Sequence, residues 1–184
     1  VENTIERLSG NLGVSPFKEH DNDEMSLEAF LVKINQYREE DLAAELFENK
    51  QRTSTRSGIQ KAVAVKRGCE ALLQNGINLF EDVNIKSLGK AEGDFLRMKG
   101  QGTGISYKYF CMLACDENLI KPDRVICRYV GNSLGFDAEP SPQVAEQLFL
   151  EAFPAVKAAH PSLTPRFLDY LVWNLQSAIE KAKK

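Results

Sequence analysis

Apolar residues recur at helical spacing along almost the whole chain. Leu27, Phe30, Leu31, Ile34 and Tyr37 fall on one face, and Ser26 stands ready to cap the first turn. Leu42, Ala43, Leu46 and Phe47 predict a second helix after the Arg38–Asp41 charge cluster. The passage "ENKQRTSTRSG" holds no apolar residue and reads as a loop or a helix start. Next, "IQKAVAVKRGCEALLQNG" predicts an amphipathic helix with Ala62, Val65, Cys69 and Leu72 or Leu73 inward and Gly76 as its stop. After the turn "NLFEDV", further helices are predicted from about Ser87 to Met98 and from about Thr103 to Cys115, the latter with Ile105, Tyr109, Met112 and Leu113 on one face. Another runs from Asp123 to Leu134, with Pro122 in its first turn. Ser141-Pro142 and Thr164-Pro165 mark two more starts, and the last helix is expected to turn Phe167, Leu168, Leu171, Val172 and Leu175 inward. Strand periodicity is almost absent, so the pattern predicts an all-α protein of about eight to ten helices.

Between two of these helices lies "MKGQGTG", with glycine at 100, 102 and 104. A plain helix–helix connector needs one glycine to stop; three in alternation suit a backbone that something approaches closely. Successive N–H groups in such a turn, with a helix N-terminus behind them, form an anion site. Lys99 and Lys108 add positive charge, and phosphate is the candidate anion. The pattern is neither a dinucleotide fingerprint, which needs a preceding strand, nor a P-loop, which needs Gly-Lys-Ser/Thr. Taken alone, the glycines are better explained by a tight helix–helix turn without a ligand.

Charge sharpens the picture. The net charge is −3, which alone argues against a polyanion partner, yet the distribution is uneven. Glu19 to Asn49 holds ten acids against two bases, whereas Lys50 to Cys69 holds six bases and no acid. One basic face, not the total, decides phosphate binding. Solvated helix surfaces explain such runs too. The 184 residues, 43% hydrophobic and 27% charged, fit one soluble domain or two small lobes, and no apolar run reaches a membrane span. A cytoplasmic protein without a cofactor is expected. Cys69, Cys111, Cys115 and Cys127 show no Cys-x-x-Cys spacing, and His20 and His160 are far apart. Reduced, mostly buried thiols are therefore expected, with no metal and no iron–sulfur cluster.

About twenty residues after the glycines comes "KPDRVICRYV". Hairpin, apolar helix, short loop and an aspartate at a helix start, in that order, resemble the helix–hairpin–helix DNA glycosylase superfamily. There "LPGVG..TA" leads to a catalytic aspartate heading "D..I.R". "MKGQGTGIS" takes the place of the hairpin, Asp123 that of the aspartate, and Ile126 and Arg128 those of the residues that follow. The likeness is good over roughly residues 87–134, the helix–hairpin–helix core of one glycosylase-like domain spanning 1–184, and looser back through the polar loop. It implies a two-lobed helical bundle that binds double-stranded DNA as a monomer. Asp123 would be catalytic. Lys99, Gly100, Gly102, Thr103, Gly104, Ser106 and Lys108 would hold phosphate, and Gln51 and Arg52 would face the duplex. The bifunctional members' lysine falls on Gly104 here, the histidine after their aspartate is missing, and so is their four-cysteine motif. The implied activity is monofunctional hydrolysis of an N-glycosidic bond.

Asp123 has a bland reading as well, since an acid in a helix's first turn complements the macrodipole. Arg128 equally fits a salt bridge within the domain, and Tyr107, Tyr109, Tyr129 and Trp173 suit a core. Two rival functions stay open. One is a catalytically inactive DNA-binding module. The other is an interaction domain that docks a basic partner through the acidic N-terminal helices, near Glu39, Glu40 and Asp41.

Overall fold

The structure, a computed structural model, describes residues 2–15, 24–54, 58–114 and 116–182. Among these it is all-helical, and its only strand-like feature is an isolated bridge between Arg52 and Gln60. The chain divides into two compact units, Val1–Gly104 and Ile105–Lys184. Arg56, His20, Cys115 and the acids at 19, 21 and 23 lie outside the described residues.

The first unit contains α1 (Glu2–Leu12), α2 (Leu27–Ile34), a π-helical turn (Leu42–Leu46), α3 (Lys61–Gln74), a 3-10 turn (Phe80–Asp82) and α4 (Ile85–Arg97). Its core joins Leu12, Ile34, Leu42, Ala43, Leu46, Phe47 and Ala62, with Phe30 and Tyr37 packed against it. The helix expected around Leu42 closes as a single wide turn, Phe47 N–H reaching back to Leu42 O at 2.9 Å. The Ser26 hydroxyl accepts from the Ala29 N–H at 3.1 Å and starts α2. Gly68, in the middle of α3, is a contact residue: a Cβ there would meet the Phe95 ring of α4 at 3.2 Å. Val65, expected inward, is exposed instead, and the buried face of α3 is Ala62, Val63, Gly68, Ala71 and Leu72. With this face α3 packs against α2 and α4, and Gly68 gives room to the Phe95 ring.

The second unit contains α5 (Ile105–Ala114), α6 (Arg124–Leu134), α7 (Pro142–Ala159) and α8 (Pro165–Ala182). Here α6 packs against both α7 and α8 around Ile120, Ile126, Cys127, Val130, Ala145, Phe149 and Val172. The two Ser/Thr-Pro starts are as expected: Ser141 Oγ accepts from Val144 N–H at 3.3 Å and Thr164 Oγ1 from Phe167 N–H at 3.2 Å. Arg128 joins elements as an ion-pair hub, its Nε 2.7 Å from Glu139 and its guanidinium 3.1 Å from Glu180 on α8.

Two faces differ from expectation. In α5 the buried side is Tyr107, Cys111 and Met112, while Tyr109 and Leu113 are exposed. In α8, Val172 is buried and Leu168 packs on the core, but Phe167, Leu171 and Leu175 point outward, Phe167 and Leu175 each about half exposed at 50% and 51%. Trp173 is exposed as well. Apolar residues run most of the way round this helix, so periodicity cannot choose its inner side. Its buried residues are Pro165, Asp169, Val172 and Gln176, and of these Asp169 is bonded outside the helix, to the Lys121 N–H.

Candidate functional site

The glycine turn belongs to the first unit and the aspartate to the second. The boundary between units falls at Gly104–Ile105, inside the predicted hairpin. Gly100 and Gly104 adopt left-handed backbone, φ +82° and +71°, which other residues rarely take. Gly102 does not, and a Cβ there would meet nothing nearer than Leu96 O at 3.9 Å. Gly100 also permits a close approach: Thr53 Oγ1 donates to Lys99 O at 3.3 Å, and a Cβ on Gly100 would lie 2.5 Å from that hydroxyl oxygen. Thr53, in the basic stretch 49–54, thus rests on the 98–104 turn. Arg52 donates to Gly58 O at 2.7 Å, and Gln51 Oε1 accepts from Lys61 Nζ, at the start of α3, at 2.8 Å. Both side chains are therefore held within the first unit. Lys99 and Thr103 are exposed.

In the second unit Ser106 is exposed, while Lys108 is bound to the Glu146 carboxylate at 2.5 and 2.6 Å. A lysine so paired presents little net charge to a phosphate. Asp123 is the N-cap of α6, not its first residue: Oδ1 accepts from Val125 N–H at 2.8 Å and Ile126 N–H at 3.3 Å. The other oxygen, Oδ2, faces Lys121 Nζ at 3.6 Å, and the side chain keeps 23% of its surface. Capping engages one oxygen, and the second pairs with Lys121. Lys121 Nζ also sits 4.0 Å from the centre of the Tyr109 ring.

Asp169 joins this group from α8 and was not anticipated. It is 5% exposed, and its Oδ1 accepts from the Lys121 N–H at 3.1 Å. Burial, first, and the Asp123 charge push its carboxyl up to about 6, against the pull of the Lys121 N–H and ammonium. The sequence does carry a trace of it, an acid between Leu168 and Val172 on an otherwise apolar stretch. A buried carboxyl raised in this way beside a second acid is a common mark of acid–base sites. The Cys127 thiol behind Pro122 is raised by burial, then by Asp123 and Glu139. Among the described residues, no group of three or more His, Cys, Asp or Glu could hold a metal ion.

Residues 1–177 match the family model described as a domain of unknown function, DUF8548. No curated protein and no solved structure matches the chain.

Proposed function

We propose that this chain, which belongs to the DUF8548 family, is a double-stranded DNA-binding protein that hydrolyses the N-glycosidic bond of a damaged or modified base. The observation that carries the reading is the divided Asp123 carboxylate, with Oδ1 on the α6 cap and Oδ2 beside Lys121 in a partly exposed position. In the proposed reaction the target nucleotide leaves the stack at a cost of a few kcal/mol. The Asp123 carboxylate stabilises the positive charge that develops at C1′ as the bond lengthens. A water oxygen bonds to C1′, the C1′–N bond breaks, and its electron pair leaves with the base. The departing nitrogen gains a proton from solvent and the water loses one. Lys99 and the backbone of Gly100, Gly102 and Thr103, all in the first unit, are the proposed phosphate contacts. They position the strand without reading sequence.

A second reading has one observation in its favour. Capping alone is reason enough for an acid at Asp123, and a module that binds duplex without catalysis needs nothing more. Docking through the acidic N-terminal helices has less support, because Glu39 is held by Arg67 at 2.5 Å and Asp41 by Arg38 at 2.6 Å.

The test is titration into duplex DNA carrying a cationic pyrrolidine abasic-site analogue, beside undamaged duplex, for wild type and Asp123→Asn. Asparagine caps as well as aspartate, so the fold is retained. The expected result is wild-type preference for the analogue by roughly a hundredfold, lost in Asp123→Asn with undamaged-duplex affinity equal or higher. Equal, salt-sensitive binding to both duplexes would replace the glycosylase reading with the binding module. No binding to either would dismiss both.

A further inference from the structure

We infer that Asp169 is a positioning residue for Asp123, holding from α8 the turn that delivers the capping carboxylate. The catalytic consequence rests on the glycosylase reading; the positioning does not.

Asp169 is one of the few buried polar residues among those described, with Ser9 and Gln176. A carboxyl group removed from water destabilises a fold unless it is bonded, so its place on the inner face of α8 calls for a partner. The partner is the Lys121 N–H. Lys121 O in turn accepts from the Asp123 N–H at 2.7 Å, closing a three-residue turn around Pro122, which is buried and offers no N–H of its own. Asp123 then caps α6. The chain of contacts therefore runs from Asp169 to Lys121 to Asp123 to the first turn of α6, without a gap. The start of α8 fastens the preceding loop as well, Arg166 N–H donating to Glu117 O at 3.1 Å. The charged groups acting on Asp169 are Asp123 and Lys121, and those two also pair with each other. A change at Asp169 thus reaches Asp123 through backbone and through charge.

The test uses the whole chain, isotope-labelled, with Asp169→Asn and Asp169→Ala beside wild type. In wild type the amides of Lys121, Val125 and Ile126 are expected to share one titration step near pH 6, absent in Asp169→Asn. In Asp169→Ala the Val125 and Ile126 amides should lose about tenfold of their hydrogen-exchange protection relative to amides elsewhere in α6. Absence of the shared step in wild type overturns the inference even if Asp169→Ala does not fold, and unchanged protection in a folded Asp169→Ala also overturns it. The same proteins are then titrated with the pyrrolidine duplex and with undamaged duplex. Loss of preference in Asp169→Ala, with undamaged-duplex affinity kept, extends the role to the proposed site. A shared step with no wild-type preference for the analogue sinks the glycosylase reading and leaves the positioning standing. A preference that survives in folded Asp169→Ala, with amides uncoupled, does the reverse.

Discussion

Asp169 carries a pH dependence of definite sign. Its carboxyl is raised from about 3.8 in the unfolded chain to about 6 in the fold, so between those values the folded protein binds more protons than the unfolded one. Stability from this group is present below the lower value and falls as pH rises towards the upper one. The loss amounts to about 3 kcal/mol across the window. Asp82 acts in the opposite direction at lower pH, because the Leu79 and Asn78 N–H groups hold its carboxyl below the ordinary range. Urea unfolding at several pH values between 4 and 7, for wild type and Asp169→Asn, separates the two. The difference between the proteins is expected to shift steadily in favour of Asp169→Asn as pH rises. A flat difference would mean that the carboxyl is not desolvated.

Among elements, the 98–104 turn separates two uses of glycine. Gly100→Ala forces a side chain into left-handed backbone and against Thr53, and a loss of more than about 1 kcal/mol is expected by thermal unfolding. Gly102 has ordinary backbone and open space, so Gly102→Ala should leave stability unchanged or raise it by up to about 1 kcal/mol. If the turn approaches phosphate, the same substitution weakens duplex binding by about tenfold; unchanged binding would make the turn a connector only. How far the sequence discloses such elements depends on the reach of the chemistry. The starts at Ser26, Ser141 and Thr164 were readable because a cap and its N–H partner lie within three residues. The faces of α5 and α8 were not, since Tyr109 answers to Lys121 and Asp169 to the Lys121 backbone, partners far along the chain from α8 or outside α5. Likewise Asp123 could be placed at a helix start, but how its two oxygens divide between the cap and Lys121 is set by the fold of the turn around Pro122.

For the whole molecule, the net charge of −3 makes any affinity for DNA a matter of a few local cations, and pairing decides which of them count. Lys99 is exposed beside the glycine turn, whereas Lys108 is bound to Glu146. Measured across salt concentrations, Lys99→Ala should reduce the slope of log affinity against log salt by about 0.9, the share of one phosphate contact. Lys108→Ala should leave that slope close to wild type. Equal changes in both slopes would show that the Lys108–Glu146 pair opens on DNA, and no salt slope in wild type would remove DNA from consideration. The two rival functions differ at this scale too, since docking of a basic protein responds to charge reversal at Glu39 to Asp41 and not to Lys99.

The division of labour within the Asp123 carboxylate has an evolutionary corollary. The cap needs one acceptor oxygen, which serine or asparagine supplies equally well and threonine somewhat less well, whereas stabilising a sugar cation needs the negative charge. A lineage that kept only the architecture is free to drift among aspartate and those three residues at this position, and one that kept a reaction is confined to aspartate. Variation at a single site across descendants of this chain is therefore a natural experiment on its chemistry, already performed by selection.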